Sequence, residues 1–292
     1  TIKGDRNNNI LQGNGGDDLM LASAGNDTYT FGPGKDTIDY SRLNTSISLV
    51  RGGTVDKGSL GIDTFTDFYS TIKASNSKSD WIDGLTGGGQ IASLNVDLST
   101  SSLDISGIPS TGNISVKIQN FENVKGSNTA DTIKGDRNNN ILQGNGGDDV
   151  IISIGGRDII NGGSGEDKIT VLTADGASII TGSGKDTIFI TNQYWQNTTQ
   201  EAAEVISIND FKAGKYGDFL DLTDLFQKEG CLDNKQRVAP GYLTLETVGD
   251  GIALNFDKDG ADGNEFQEIS IAFLKGTDRS KLNRYNFNDF FT

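Results

Sequence analysis

The stretch GNGGDDLML occupies residues 13–21, and a near copy, GNGGDDVII, occupies residues 144–152. Both belong to a longer segment, because TIKGDRNNNILQGNGGDD stands at residues 1–18 and again, letter for letter, at residues 132–149. In each copy, six residues rich in glycine, asparagine and aspartate precede a short apolar triplet. Glycine, and after it asparagine and aspartate, tolerates the positive φ of a tight turn. The stretch therefore predicts a turn followed by a short strand.

The turn-and-strand unit repeats every nine residues. From Gly4 the chain reads GDRNNNILQ, GNGGDDLML, ASAGNDTYT and FGPGKDTID, and from Gly126 the repeat resumes and continues to TGSGKDTIF, with a weaker echo, SNSKSDWID, at 75–83. The sixth place is mostly aspartate or asparagine, and the eighth is apolar, as in Met20 and Ile38. Two nonapeptides would return the chain to its starting side, one strand spacing along the axis. This pattern predicts a parallel β-roll, a form of β-solenoid, with an apolar inner line.

The repeat predicts an all-β fold and divides the chain into four segments. They are a first β-roll block at 1–39, an irregular β region at 40–125, a second block at 126–190, and a C-terminal β-meander cap at 191–292. The irregular region is either further solenoid coils or a separate sandwich-like insert. Within the cap, the Asp250-Gly251 pair between two alternating runs predicts a hairpin.

The composition narrows the classes of function. Among 292 residues, 40 are acidic and 25 are Lys or Arg, which gives a formal net charge of −15. This charge argues against binding to nucleic acid or to an anionic membrane surface, and it suits cations. The chain has no histidine and one cysteine, Cys231, so an intrachain disulfide, a His-ligated zinc site and a Ser-His-Asp triad are all excluded. No apolar run approaches the ~18 residues of a membrane span.

Stacked turns bring sixth-place carboxylates together. Like charges a few ångströms apart repel unless a cation lies between them. Carboxylate and carbonyl oxygens, with neither Cys nor His, favour Ca²⁺ over zinc or copper. Acids at other places of the turn, such as Asp17 and Asp148, are expected to be solvated. The alternative is a solenoid whose Gly, Asn and Asp turns bind no metal.

The nonapeptide GGSGEDKIT at 162–170 resembles the GGxGxDxUx repeat of the RTX, or haemolysin-type, calcium-binding family. The resemblance implies that each Ca²⁺ takes the second- and fourth-place carbonyls and the sixth-place Asp of one turn. The turn two repeats later then supplies its first- and third-place carbonyls and its own sixth-place Asp. About five ions per chain are expected, which would offset roughly ten negative charges at two per Ca²⁺.

Transferred to this sequence, the resemblance implies four ligand sets. The first is Asn14, Gly16, Asp18, Phe31, Pro33 and Asp36, and the second is Asn145, Gly147, Asp149, Gly162, Ser164 and Asp167. The third is Gly163, Gly165, Asp167, Thr181, Ser183 and Asp186, and the fourth is Ser127, Thr129, Asp131, Gly144, Gly146 and Asp149. Asp27 and Asp158 are further candidates, but they are paired with the uncharged Asn9 and Asn140. Those two sites are expected to be weak or absent, and Ala177 removes the next one.

The C-terminal segment resembles the targeting end of proteins that leave bacteria by type I secretion. The features are ISINDF at 206–211, DFLDLTDLF at 218–226, paired strands around DKDG, and Asp289-Phe290-Phe291 near the end. The resemblance implies transient contact with the type I secretion machinery, an uncleaved C-terminal signal, and a secreted or cell-surface location. We interpret the chain as part of a larger secreted protein that folds when it meets Ca²⁺ outside the cell.

Two other functions stay open. The first is an adhesin or surface-layer module that also binds glycan or neighbouring molecules, with Phe65, Phe68, Tyr69 and Trp81 as the aromatic side chains to examine. The second is an accessory module of an extracellular enzyme. We interpret the chain itself as non-catalytic. The segment DKDGADGNEFQE at 257–268 partly matches an EF-hand loop, but Asp262 replaces the required glycine, so an acidic turn is favoured.

Overall fold

A computed structural model describes residues 1–50, 53–66, 71–86, 93–108, 112–173, 175–191, 204–228, 242–257, 268–283 and 286–287. The chain divides into two compact units, Thr1–Gly135 and Asp136–Thr292. Cys231, Phe68, Tyr69, Asp289 and nearly all of the EF-hand-like segment lie outside the described residues. Within the described ranges, no helix is long and apolar enough to cross a membrane.

The first unit consists of short strands and one 3₁₀ turn. The strands are β1 (Ile2–Lys3), β2 (Ile10–Gln12), β3 (Leu19–Leu21), β4 (Thr28–Thr30), β5 (Thr37–Asp39), β6 (Ser48–Val50), β7 (Thr54–Asp56), β8 (Ile62–Phe65), β9 (Thr71–Lys73), β10 (Trp81–Asp83), β11 (Ser93–Asp97), β12 (Ser102–Ile108), β13 (Gly112–Gln119), β14 (Asn123–Lys125) and β15 (Thr132–Lys134), with the 3₁₀ turn at Gly58–Leu60. Their order is β1-β3-β5-β9-β13-β12-β11-β15 in one sheet and β2-β4-β8-β7-β6-β10-β14 in the other.

The register follows the nonapeptide period. Met20 lies opposite Ile38 in the parallel pair of β3 and β5, and Leu11 lies opposite Tyr29 in the pair of β2 and β4. Each pair is two nonapeptides apart, because successive triplets enter the two sheets alternately. The eighth-place side chains of Met20, Tyr29 and Ile38 are fully buried. The predicted all-β, parallel roll is confirmed.

Residues 40–125 combine parallel coils with antiparallel hairpins. Strand β10, in the echo at 75–83, pairs in parallel with β6 and with β14. In contrast, β6, β7 and β8 pair antiparallel in succession, as do β11, β12 and β13. Both kinds of pair lie within the sheets that also contain the nonapeptide strands of this unit.

The second unit repeats the roll with longer strands. They are β16 (Ile141–Gly146), β17 (Val150–Ser153), β18 (Ile159–Ser164), β19 (Lys168–Val171), β20 (Ser178–Ser183), β21 (Thr187–Ile190), β22 (Ile206–Ile208), β23 (Phe219–Asp221), β24 (Leu243–Val248), β25 (Gly251–Phe256) and β26 (Ile269–Lys275), with helix α1 (Thr223–Lys228) and a 3₁₀ turn at Arg279–Lys281. Their order is β17-β19-β21-β23 in one sheet and β16-β18-β20-β22-β26-β25-β24 in the other. The inner line of Leu142, Ile151, Ile160, Ile169, Ile179 and Ile188 is fully buried.

The C-terminal meander forms with two differences from the sequence prediction. Strands β24, β25 and β26 pair antiparallel, but the hairpin turn is Gly249-Asp250, one residue earlier than predicted, and Gly249 takes a φ of 57°. Part of DFLDLTDLF is helix α1 rather than strand. Asp221 accepts a hydrogen bond from Thr223 N at 2.9 Å, and Leu222, Leu225 and Phe226 are buried at helical spacing.

Candidate metal centre

Two kinds of turn alternate along each roll. The glycine-rich turns, at 13–18, 31–36, 144–149, 162–167 and 181–186, have a left-handed backbone at their second and fourth places. Even the non-glycine Asn14 takes a φ of 68°, followed by Gly16 at 98°, which asparagine tolerates better than other side chains. The alternate turns, at 4–9, 22–27, 135–140 and 153–158, have no left-handed residue at the second place. The backbone, and with it the carbonyl groups, therefore takes a different conformation in the two kinds of turn.

Backbone hydrogen bonds stack the glycine-rich turns. The fourth-place amide of one turn donates to the third-place carbonyl of the turn two repeats later: Gly16 N to Pro33 O, Gly147 N to Ser164 O, and Gly165 N to Ser183 O, each at 2.9 Å. The second- and fourth-place carbonyls of the earlier turn, such as Asn14 O and Gly16 O, lie against the glycines of the later one. A Cβ at those glycines would overlap the carbonyl oxygens, so the close approach requires glycine.

Sixth-place aspartates form a ladder in these turns. Asp36 Oδ1 accepts a hydrogen bond from Asp18 N at 2.8 Å, Asp167 Oδ1 from Asp149 N at 2.9 Å, and Asp186 Oδ1 from Asp167 N at 2.9 Å. The second oxygen, Oδ2, of Asp36, Asp167 and Asp186 is buried, and within the described part of the chain it accepts no hydrogen bond. A buried carboxylate oxygen without a donor is costly. A cation beside Oδ2 would remove that cost.

First-place glycines leave space between the carboxylate and the neighbouring carbonyl. A Cβ on Gly13 would lie 2.9 Å from Asp18 Oδ2 and closer still to Phe31 O. A Cβ on Gly162 would lie 2.5 Å from Asp167 Oδ2 and would also overlap Thr181 O, and a Cβ on Gly144 would overlap Asp149 Oδ2 and Gly162 O. Carboxylate and carbonyl oxygens from successive turns thus converge on one gap. This all-oxygen donor set fits Ca²⁺.

A methyl group placed in this gap is expected to weaken calcium binding. Gly13→Ala would put its Cβ between Asp18 Oδ2 and Phe31 O, so we expect the affinity of the first ligand set to fall by about tenfold or more. Gly15→Ala is the matched control, because its Cβ would meet only Pro33 O, at 3.8 Å. Calorimetric titration of both variants with Ca²⁺ measures the difference, and equal affinities would contradict this geometry.

In the alternate turns, protein donors already satisfy the aspartate. Asp27 Oδ1 accepts from Asn9 N and Oδ2 from Ser23 Oγ, at 2.9 and 3.0 Å. Asp158 Oδ1 accepts from Asn140 N at 2.8 Å, and Oδ2 accepts from Ser153 Oγ at 2.6 Å. A serine at the first or second place was the missed sequence signal. It supplies a hydroxyl donor to the carboxylate of its own turn, and Ser75 does the same for Asp80. The glycine-rich turns have no serine at these two places, and Thr181, at the first place of one of them, donates to Asp210 and Asp218 instead.

Asp131 is bonded by a serine, as Asp27 and Asp158 are, and so differs from the aspartates of the glycine-rich turns. Ser127 N donates to Asp131 Oδ2 at 2.5 Å, Ser127 Oγ donates to both carboxylate oxygens, and Leu94 N donates to Oδ1 at 2.6 Å. Thr129 contacts Ser127 Oγ. The other predicted members of this ligand set lie in the second unit, and the set as a whole stays a prediction.

The ladder extends one coil beyond the last nonapeptide, which the repeat count missed. Asp186 N donates to Asp218 Oδ1 at 3.2 Å, and Leu220, two residues after Asp218, lies opposite Ile188. The available sequence signal was an aspartate followed two residues later by an apolar residue, as at the sixth and eighth places of a nonapeptide. Asp218 Oδ2 accepts from Thr181 Oγ1 at 3.2 Å and from Lys212 N at 2.7 Å. This last carboxylate is therefore fully hydrogen-bonded.

The fifth place also forms a ladder. Asp17 Oδ1 accepts from Lys35 N at 2.9 Å and Asp148 Oδ1 from Glu166 N at 2.8 Å, and Asn8 and Asn139 accept equivalent bonds from Asn26 N and Arg157 N. These side chains are exposed, and they join successive turns. No group of three or more acidic, His or Cys side chains suited to a metal occurs among the described residues, so the gaps depend on carbonyl oxygens as well as on paired carboxylates.

Burial raises the pKa of two aspartates in the sixth-place ladder. It raises the pKa of Asp186 to about 7, and the neighbouring carboxylates of Asp218 and Asp167 add to the rise. Burial also raises the pKa of Asp167. A cation entering the gap beside Asp186 would therefore displace a proton near neutral pH.

Asp158 gives a pH-dependent prediction that is independent of the gaps. Burial raises its pKa to about 7, above an unfolded value near 4. The folded state therefore binds the proton more tightly, and ionised Asp158 destabilises the fold above pH 7 but not below pH 4. In saturating Ca²⁺, we expect Asp158→Asn to be more stable than wild type at pH 8, by on the order of 1–2 kcal/mol. Urea unfolding at several pH values should show that gain shrinking from pH 7 to pH 4; a constant gain would contradict it.

One protein-family model matches the two repeat blocks. The family model described as RTX calcium-binding nonapeptide repeat matches residues 1–38, 125–153 and 154–171, in four copies. No curated protein matches the chain in sequence.

Several solved structures resemble the chain at low TM-scores. The AlgE6R2 subunit of the mannuronan C5-epimerase of Azotobacter vinelandii is 21% identical over 55% of this chain and 91% of its own, with a TM-score of 0.28. The AlgE6R3 subunit of that enzyme is 21% identical over 55% and 78%, with a TM-score of 0.25. The extracellular lipase LipA of Serratia marcescens is 13% identical over 93% of this chain but 38% of its own, with a TM-score of 0.21. TM-scores this low carry no argument about fold or function.

Proposed function

Because this chain carries RTX calcium-binding nonapeptide repeats, we propose that it is a calcium-binding module whose roll is completed by Ca²⁺. The observation that carries the proposal is the open ladder of the glycine-rich turns. Among the described residues, the Oδ2 atoms of Asp36, Asp167 and Asp186 are buried and have no donor, whereas the aspartates of the alternate turns are hydrogen-bonded on both oxygens. Ca²⁺ would supply positive charge to the former and has little to offer the latter.

The residues in the gaps hold the ion and join successive coils. Asp18 and Asp36, Asp149 and Asp167, and Asp167 and Asp186 would contribute the carboxylates, with the second-, fourth-, first- and third-place carbonyls of the predicted sets around them. The chain has a net charge of −15 and is only 34% hydrophobic, so hydrophobic burial alone gives limited compensation for chain ordering. Ions that bind only the folded state would stabilise it.

We further propose that this folding follows type I export from a bacterial cell. The chain would stay loosely ordered where Ca²⁺ is scarce and fold at the cell surface or in the medium. The segments that resemble a secretion signal support the order of export first and folding afterwards. They are part of the roll, since Ile208 lies opposite Ile179 and Leu220 lies opposite Ile188, so they are separate from it only before the roll folds. The four segments predicted from sequence keep these roles, with the two repeat blocks binding calcium and the cap ending the roll and carrying the export signal.

The role proposed for the chain is binding rather than catalysis. Its partners are Ca²⁺ and, transiently, the export machinery. Paired carboxylates in the repeat blocks are bonded to neighbouring backbone amides, an arrangement suited to holding an ion. An enzymatic or adhesive domain in the same protein would use this module for its folding.

Counting bound ions tests this function. Native mass spectrometry of the full chain with Ca²⁺ should show at least three ions, one for each gap between the paired aspartates above, and up to about five. Mg²⁺ at the same concentration is the control, since its octahedral geometry and reluctance to dehydrate suit these gaps poorly. A chain that folds and binds no Ca²⁺ would refute the proposal.

A further inference from the structure

One pair of stacked aspartates in the first unit already has a cation between them. Asp63 lies in the ladder position that follows Asp27, because β8 pairs with β4 so that Phe65 is opposite Tyr29. Asp27 N donates to Asp63 Oδ1 at 3.1 Å, which is the bond that joins Asp18 to Asp36. The two are 36 residues apart in sequence, since a hairpin intervenes, so the nonapeptide count does not reveal them.

The Lys57 ammonium lies in this gap. Its side chain is 0% exposed, as are those of Asp27 and Asp63. Lys57 Nζ donates to the fourth-place carbonyl, Gly25 O, at 2.9 Å, forms an ion pair with Asp63 Oδ1, and stands 3.8 Å from Asp27 Oδ2. These partners are a turn carbonyl and two sixth-place carboxylates. They are the same classes of oxygen that surround the open gaps.

The loop around Lys57 fixes the ammonium in place. Lys57 follows β7, and its amide donates to Gly61 O at 2.9 Å, which closes the 3₁₀ turn Gly58–Leu60. That turn is joined to the alternate turn because Gly25 N donates to Leu60 O at 2.8 Å. A buried lysine is tolerated only where opposite charge and hydrogen bonds compensate it, and here both are supplied.

We propose that Lys57 is a built-in substitute for Ca²⁺, which holds this coil together without a dissociable ion. The gap contains two carboxylates and one ammonium, with Tyr40 OH donating to Asp63 Oδ2 at 2.9 Å. Replacing the ammonium by a neutral side chain leaves two buried carboxylates and the Gly25 carbonyl facing each other. Asp27 is hydrogen-bonded on both oxygens, as Asp158 is. However, Asp158 faces the uncharged Asn140, whereas Asp27 faces a second carboxylate, so without the ammonium a divalent cation would be bound by Asp27, Asp63 and Gly25 O. The coil at Lys57 is thus independent of calcium, while the open gaps depend on it.

Removing the ammonium tests the inference. In Lys57→Met, native mass spectrometry should find one Ca²⁺ more than in wild type, and the variant should lose stability at low Ca²⁺ and regain it at high Ca²⁺. The double variant Lys57→Met, Asp63→Asn lacks one carboxylate and should not gain the ion. Lys73→Met is the matched control, because Lys73 pairs with Asp39 at 3.1 Å in a part-exposed position, and its ion count should equal that of wild type.

The outcomes separate this inference from the proposed function on which its choice of Ca²⁺ rests. A wild-type chain that binds no Ca²⁺ refutes the proposed function, whereas the inference depends on the difference between Lys57→Met and wild type. An unchanged ion count in Lys57→Met overturns the inference. Failure of Ca²⁺ to refold that variant, while the double variant folds, overturns it as well.

Discussion

Removal of Ca²⁺ with a chelator is expected to unfold most of the repeat structure. A site filled at one hundred times its Kd stabilises the fold by about 2.7 kcal/mol, so three such sites supply about 8 kcal/mol. This equals a large part of the 5–15 kcal/mol that is typical of a whole domain. The loss also restores charge repulsion between carboxylates that are buried in pairs, such as Asp167 and Asp186.

Far-UV circular dichroism of the full chain in excess chelator and in millimolar Ca²⁺ measures this effect. The strand signal should collapse in chelator and return when Ca²⁺ is added, and Mg²⁺ should not restore it. The same spectrum and the same urea midpoint in both conditions would show that the roll folds without the ion.

Asp167→Asn is expected to be the most damaging single substitution in the second unit. Asp167 contributes to two predicted ligand sets, one with Asp149 and one with Asp186. Its Oδ2 is buried and accepts no hydrogen bond from the part of the chain that the structure describes. An amide there removes one charge and places an N–H₂ group toward the cation. We therefore expect the chain to lose two Ca²⁺ ions and to become less stable by on the order of 4 kcal/mol or more in saturating Ca²⁺.

Asp158→Asn is the control for this substitution, because Asp158 occupies the same place of an alternate turn and is equally buried. Ser153 Oγ and Asn140 N already bond its two oxygens, so its replacement should cost no ions. Ion counts and urea midpoints for the two variants can be compared directly. Loss of an ion from Asp158→Asn, or of none from Asp167→Asn, would reverse the assignment of the two kinds of turn.

The parts of the fold that depend on a local period could be predicted from the sequence. Nine residues contain one turn and one strand, so the period specifies strand position, parallel register and the buried eighth place, as Met20 and Ile38 illustrate. Helix α1 could not be predicted in this way, because apolar and polar residues alternate from Leu220 to Thr223, a pattern that also fits a strand. The burial of Leu222, Leu225 and Phe226 at helical spacing depends on the packing of the cap.

The chemistry of the candidate metal sites could be predicted only in part from the sequence. The sixth-place aspartates are evident from the repeat, but whether the second carboxylate oxygen of each is hydrogen-bonded depends on a serine at the start of its turn. Ser153 bonds Asp158, for example, whereas Gly162 leaves Asp167 open. The pair of Asp27 and Asp63 was hidden because a hairpin separates them, and Lys57 reaches them only through the fold.

The central claim is that Ca²⁺ binds in the glycine-rich turns and not in the alternate ones. Anomalous diffraction from crystals grown with Ca²⁺ tests it most directly, since each bound ion gives a peak at its position. The account predicts peaks between Asp18 and Asp36, between Asp149 and Asp167, and between Asp167 and Asp186, with none beside Asp158 or Lys57. Absence of those three peaks, or strong peaks at the alternate turns, would contradict it.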